Sequence, residues 1–228
     1  MIFLDEHSPS IPAKILMGIG VLAGTLTATV LTTGYSEWLM SVLSFEKVEG
    51  NVHRQIVMFS CCLIYFIRFS IGLFVFIQRK ISWFEAGTVT FLFFMMFYYF
   101  CVSAGSHPKP IGTIDILGIF LFLFGSCINV VADYQRFIWK RKTENQGRLY
   151  TSGLFKYSMH INYFGDAIAY FGLALITHNM VCLCISIGMV IYFLAFEIPR
   201  LDEHLNKKYK NEFADYSGST KRFVPYIY

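Results

Sequence analysis

The chain has 228 residues, 55% hydrophobic and 15% charged, and its formal net charge is +4. A water-soluble domain carries about 25% charged residues, so this composition belongs to a membrane. It excludes a soluble enzyme on a single anchor, a secreted disulfide scaffold and a nucleic-acid binder, because no room remains for a separate soluble domain of ordinary size.

In chain order, the first apolar stretch runs from Ile15 to Gly34. It follows Asp5 and Glu6 rather than a basic segment, and no small-x-small cleavage pattern comes after it. It is therefore expected to remain as a span. Ile56 to Gln78, Ala86 to Ser106 and Ile116 to Ala132 follow, each long enough for one crossing, which takes about 20 apolar residues. Arg68 is the one formal charge within all these stretches. The cysteines all lie in apolar stretches without a C-x-x-C pattern, so they read as small core residues and no metal site is expected.

The last apolar stretch, Ala167 to Phe196, is too long for one ordinary crossing. Thr177, His178 and Asn179 interrupt it, as suits the tip of a tight helical hairpin. Charge supports this division. With six spans, fifteen of the nineteen Lys and Arg residues fall on one side, and Lys47, Arg54 and Lys109 on the other. A single final crossing would balance the two sides and erase the positive-inside bias. The expectation is an all-α polytopic bundle of about six transmembrane helices, with both termini cytoplasmic, in a bacterial inner membrane or the endoplasmic reticulum. Residues 1–228 read as one integral-membrane domain.

Two polar segments face that basic side. Asn129, Asp133, Gln135, Arg136, Lys140, Arg141, Lys142 and Arg148 crowd a helix end and the loop after it, with Phe137, Ile138 and Trp139 at the interface. In the tail, Leu201, Leu205, Tyr209 and Phe213 recur every four residues between charges, predicting one amphipathic helix lying on the headgroups. Between these segments runs Gly153-Leu154-Phe155-Lys156-Tyr157-Ser158-Met159-His160-Ile161-Asn162-Tyr163-Phe164-Gly165-Asp166. A helix that only crosses lipid has no use for His160, Asn162 and Asp166 at its start. Such groups near lipid mark a ligand site by default, the alternative being an interfacial cap that satisfies backbone donors.

These motifs resemble the steroid 5α-reductase superfamily, through the members that carry only its C-terminal domain. The G-L-F…N-Y-F-G-D pattern is also similar to that of sterol reductases and isoprenylcysteine carboxyl methyltransferases. The resemblance covers roughly positions 60 to 228, from Ile64-Tyr65-Phe66-Ile67-Arg68 to Pro225-Tyr226-Ile227-Tyr228. It implies that residues 111–228 form the cofactor-binding half. It further implies NADPH as cofactor, held by Arg79, Lys140 and Arg148 at the phosphates and by Asn129, Asp133, Asn162, Asp166 and Tyr209 elsewhere. Tyr65 is implied as the catalytic hydroxyl, donating to the carbonyl oxygen of an enone while hydride enters at the β-carbon. Arg68, one turn on, would tune it. Asp133 as a helix cap and Tyr209 as one more apolar tail residue are the bland alternatives.

This chain departs from the reductases where they pair that tyrosine with a glutamate one helix earlier. Leu31, Thr32 and Thr33 stand at the corresponding height, and Glu37 lies a turn or more away. The expected substrate is accordingly a lipid-like small molecule rather than a steroid in particular, and no obligate protein partner is implied. The alternative is a methyltransferase using S-adenosylmethionine, for which Met159-His160-Ile161 replaces the usual Arg-His-Pro. A third class is a non-enzymatic lipid-binding membrane protein.

Overall fold

The computed structural model describes residues 8–32 and 50–228. Glu37, Thr33 and Lys47, which bear on the expected carbonyl clamp and the charge balance, lie outside them. Among the described residues the regular elements are all helices, without a β-strand. Five of the described helical stretches are long and apolar enough to cross a membrane, and a sixth, of 17 residues, is shorter.

The contacts divide the chain into two units, Met1–Phe122 with Phe171–Ile185, and Leu123–Tyr170 with Ser186–Tyr228. In the first unit, α1 (Ile11–Thr32) lies against α3 (Trp83–Gly105) through its glycines. A Cβ on Gly20 would stand 2.4 Å from the Thr90 carbonyl oxygen, and one on Gly24 2.5 Å from that of Phe94. Only glycine admits so close a backbone approach. Three α1 threonines cost little in an apolar setting because their hydroxyls return to their own helix, Thr25 to Val21 and Thr32 to Ala28 at 2.9 Å, and Thr29 to Thr25 at 2.8 Å.

Helix α2 (Val52–Ile71) starts at Asn51, whose side chain accepts the Arg54 N–H at 3.2 Å, and continues as a π-helical turn over Gly72–Phe76. Ser82 caps α3 in the same way through the Glu85 N–H. Arg54, counted above among the loop charges, is instead fully buried. It pairs with Asp115 and donates to the carbonyls of Ile176 at 2.8 Å and of Lys109 and Pro110 at 3.2 Å. His178 reaches the same carboxylate at 3.0 Å.

Helix α4 (Thr113–Lys140) has 28 residues, a length of about 42 Å. The hydrocarbon core is only about 30 Å thick, so the polar end of α4 has length to spare beyond it. Helices α5 (Ile161–Thr177) and α6 (Met180–Tyr192) are separated at the expected hairpin tip. His178 there takes a positive φ of 53°, and the Asn179 carboxamide accepts the Val181 N–H at 2.8 Å, opening α6.

The tail differs from expectation. A π-helical turn at Phe193–Glu197 joins α6 to α7 (Ile198–Tyr209), so the amphipathic segment continues a span instead of standing apart. It also stops early. Lys210 has φ 46°, and α8 (Asn211–Ser219) begins after it, dividing the apolar row between Tyr209 and Phe213. Phe213 and Tyr216 then pack with Met159, Leu205 and Tyr209 in a small core of the second unit.

Candidate functional site

In the second unit the polar end of α4 meets the start of α5. Gly125 and Gly165 permit it, since a Cβ on Gly165 would lie 2.7 Å from the Gly125 carbonyl oxygen and 2.8 Å from the Asn129 nitrogen. At this approach the Asn129 amide donates to the Asp166 carboxylate and to the Asn162 carbonyl, both at 3.1 Å. The Asn162 amide donates to Asp133 at 3.4 Å, and Arg136 donates to the same Asp133 oxygen at 2.7 Å. Asn129, Asp133, Asn162 and Asp166 thus form one partly buried network.

Farther along α4 lies the cationic part. The Lys140 ammonium donates to the Arg148 carbonyl oxygen and, at 2.8 Å, to the Tyr209 hydroxyl, and it stands 4.8 Å over the Tyr209 ring. Tyr209 is therefore more than a member of an apolar row. Arg148 itself is exposed. The loop carrying it is pinned by Asn145, which donates to the Trp139 carbonyl at 2.9 Å, and by Glu212, which accepts the Leu149 N–H at 2.8 Å. Gly153, at φ 60°, passes so close to Gln135 that a Cβ would fall 2.2 Å from its oxygen, which instead accepts the Leu154 N–H at 3.0 Å. Beneath, Trp139, Tyr150 and Phe155 pack around Ala132 and Ile161. Burial raises the pKa of the Tyr150 and Tyr216 hydroxyls, and Tyr216 donates to the Phe155 carbonyl at 2.6 Å.

The first unit holds the other two expected site residues. Tyr65 is 2% exposed, with ring centroids 4.7 Å from Phe97 and 6.0 Å from both Phe69 and Phe93. The Arg68 guanidinium lies 4.5 Å over the Tyr65 ring, where its charge meets the negative face of the π system. Arg79 forms a two-point ion pair with Glu85, at 2.5 and 2.9 Å.

Gln135 reads in the sequence only as one more polar residue at the end of α4, and the partnership of Asp202 with Arg222 leaves no mark there. Gln135 shapes the Gly153 turn, and Asp202 joins His160 at 2.7 Å to Arg222 at 2.9 Å. Asp202 sits in an alternating charge pattern that reads as a solvated face, and no local signal names its partners 42 and 20 residues away.

The chemistry of this donor set suits a phosphorylated dinucleotide. Ammonium and guanidinium groups answer phosphate, and a linked set of amides and carboxylates answers ribose and carboxamide. Residues 75–220 match the family described as "Protein of unknown function (DUF1295)". The chain belongs to that family, within the steroid 5α-reductase superfamily that its motifs resemble. It is 32% identical over 133 residues to human 3-oxo-5-alpha-steroid 4-dehydrogenase 2, covering 57% of this chain and 50% of that protein. The Sus scrofa counterpart is 31% identical over 133 residues with the same coverage. A protein of Ustilaginoidea virens named "Probable O-methyltransferase ustE" is 32% identical over 92 residues, 40% of this chain and 32% of its own length. The chain spans about half the length of the steroid dehydrogenase relatives it matches.

Proposed function

We propose that this protein is a membrane-embedded, NADPH-dependent reductase of a carbon–carbon double bond conjugated to a carbonyl, acting on a lipid or steroid-like substrate. The observation that carries the reading is the joined network of Asn129, Asp133, Asn162 and Asp166, with Lys140 and Arg148 beyond it. The names of the steroid dehydrogenase relatives support the reaction class. NADPH would supply the hydride. Lys140 and Arg148 bind phosphate, Asn129 and Asn162 orient the sugar and carboxamide, and Asp133 and Asp166 fix those amides. Arg79 is assigned to the same cofactor, and Tyr209 holds Lys140 in place.

Tyr65 is assigned the proton side. Its hydroxyl donates to the carbonyl oxygen as enolate charge develops, a bond that is strongest where water is scarce. The basic side, with both termini, is assigned to the cytoplasm.

A second reading, methyl transfer from S-adenosylmethionine, is favoured by the likeness to the Ustilaginoidea virens protein and by His160 ahead of the Asn162 motif. Equilibrium binding to the detergent-solubilised protein separates the two. NADPH is expected to bind more tightly than NADH, and replacing both Lys140 and Arg148 by Gln is expected to abolish that preference, since each charge-assisted bond contributes about 1.5 to 3 kcal/mol. Binding of S-adenosylmethionine alone overturns the reductase reading.

A further inference from the structure

The start of α5 is fastened by a device that the proposed cofactor contacts do not use. His160 is 1% exposed and immediately precedes α5, its carbonyl accepting the first helical bond from the Phe164 N–H. Its ring nitrogen Nε2 lies 2.7 Å from one Asp202 oxygen, on α7. The other Asp202 oxygen accepts from Arg222 Nε at 2.9 Å. Segment 158–160 is laced to the segment of Arg222 as well. Met159 N–H donates to the Lys221 carbonyl at 2.8 Å, His160 N–H to that of Arg222 at 3.2 Å, and the Ser158 hydroxyl to that of Phe223 at 2.8 Å.

Two residues beyond His160 stands Asn162, whose carbonyl and amide hold Asn129 and Asp133. Helix α7 is therefore tied near its start to α5 through Asp202, and at its end to α4 through Tyr209 and Lys140. A shift of His160 would move the Asn162 contacts directly, because a helix start transmits displacement along its rigid backbone.

We propose that His160 and Asp202 are positioning residues: their bond, completed by Arg222, sets the register of α5 and so prearranges Asn162 and Asp166 for an adenosine-containing cofactor. Neither has to touch the cofactor. This rests on the reading above that the network binds such a cofactor, and it applies whether that cofactor is NADPH or S-adenosylmethionine. The gain is preorganisation, since a site already in register loses less free energy on binding.

The test uses the full-length protein in detergent, with NADPH and S-adenosylmethionine as probes, in wild type, His160→Ala, His160→Gln, Asp202→Asn and the His160→Ala/Asp202→Asn double variant. His160→Ala and Asp202→Asn are each expected to weaken the bound cofactor about tenfold, as mutations acting through a coupled contact do. The double variant should lose no more than either single one, because the two residues act as a unit. His160→Gln keeps an N–H toward Asp202 and should recover most of the affinity. Where turnover is measurable, KM for the cofactor should rise with kcat nearly unchanged. Variants that lose only thermal stability while binding cofactor as the wild type does would overturn the positioning role and leave the functional reading standing. Fully additive losses, or failure of Gln to recover affinity, would overturn it as well. A folded wild type that binds neither probe overturns both.

Discussion

At the scale of single residues, Tyr65 carries the boldest assignment. It is buried among Phe69, Phe93 and Phe97, with Arg68 on its ring face. Tyr65→Phe removes one oxygen and leaves the aromatic packing, so folding and NADPH affinity should survive. Losing a donor to a developing oxyanion costs about 2.7 to 4 kcal/mol of barrier, so turnover with an enone substrate should fall roughly a hundred- to thousandfold. A variant that reduces substrate at the wild-type rate would remove Tyr65 from the reaction. Arg54 makes a different argument. Its partner Asp115 is 61 positions away, and a charge between two apolar stretches reads as a loop residue until that partner is found. Both are at most 1% exposed. Asp115→Ala would leave the guanidinium buried and unpaired, at a cost of about 3 to 5 kcal/mol. Replacing both by apolar residues of similar volume should restore most of that stability, as unfolding in detergent would read.

At the scale of elements, the closeness of α4 and α5 decides whether the network in the second unit exists. Gly165→Ala would place a methyl group 2.7 Å from a backbone oxygen of α4. Backbone cannot swing aside, so the helices must part, and overpacking of this kind costs about 1 to 3 kcal/mol. NADPH affinity should fall with stability in the same variant, whereas Gly188→Ala, which meets nothing within 4 Å, should change neither. The spans and the hairpin tip were legible because burial and chain reversal leave marks in composition: long apolar runs, and Thr177-His178-Asn179 between two of them. The break at Lys210 was not. A positive φ at a lysine, unlike one at glycine, has no local preference to announce it. The linking of Asn162 and Asp166 to other polar groups was visible as polarity misplaced in an apolar helix, but the ties of Asp202 depended on contacts that only folding brings together.

At the scale of the whole molecule, the orientation assigned from charge makes a direct prediction. A cysteine introduced at Asn179, at the hairpin tip, should react with an impermeant thiol reagent from outside the cell. One introduced at Ser219, in α8, should react only after the membrane is opened. Labelling of both positions from one side would contradict the hairpin and the cytoplasmic placement of the basic face together. The central claim is reduction by hydride, and isotope transfer tests it most directly. Purified protein is supplied with NADPH carrying deuterium at the transferable position and with a panel of enone lipids, and the products are analysed by mass spectrometry and NMR. The account predicts one deuterium at the β-carbon of a saturated ketone, with NADPH consumed in equal amount. A panel returned unlabelled and unsaturated by protein that instead transfers a labelled methyl group from S-adenosylmethionine would contradict it.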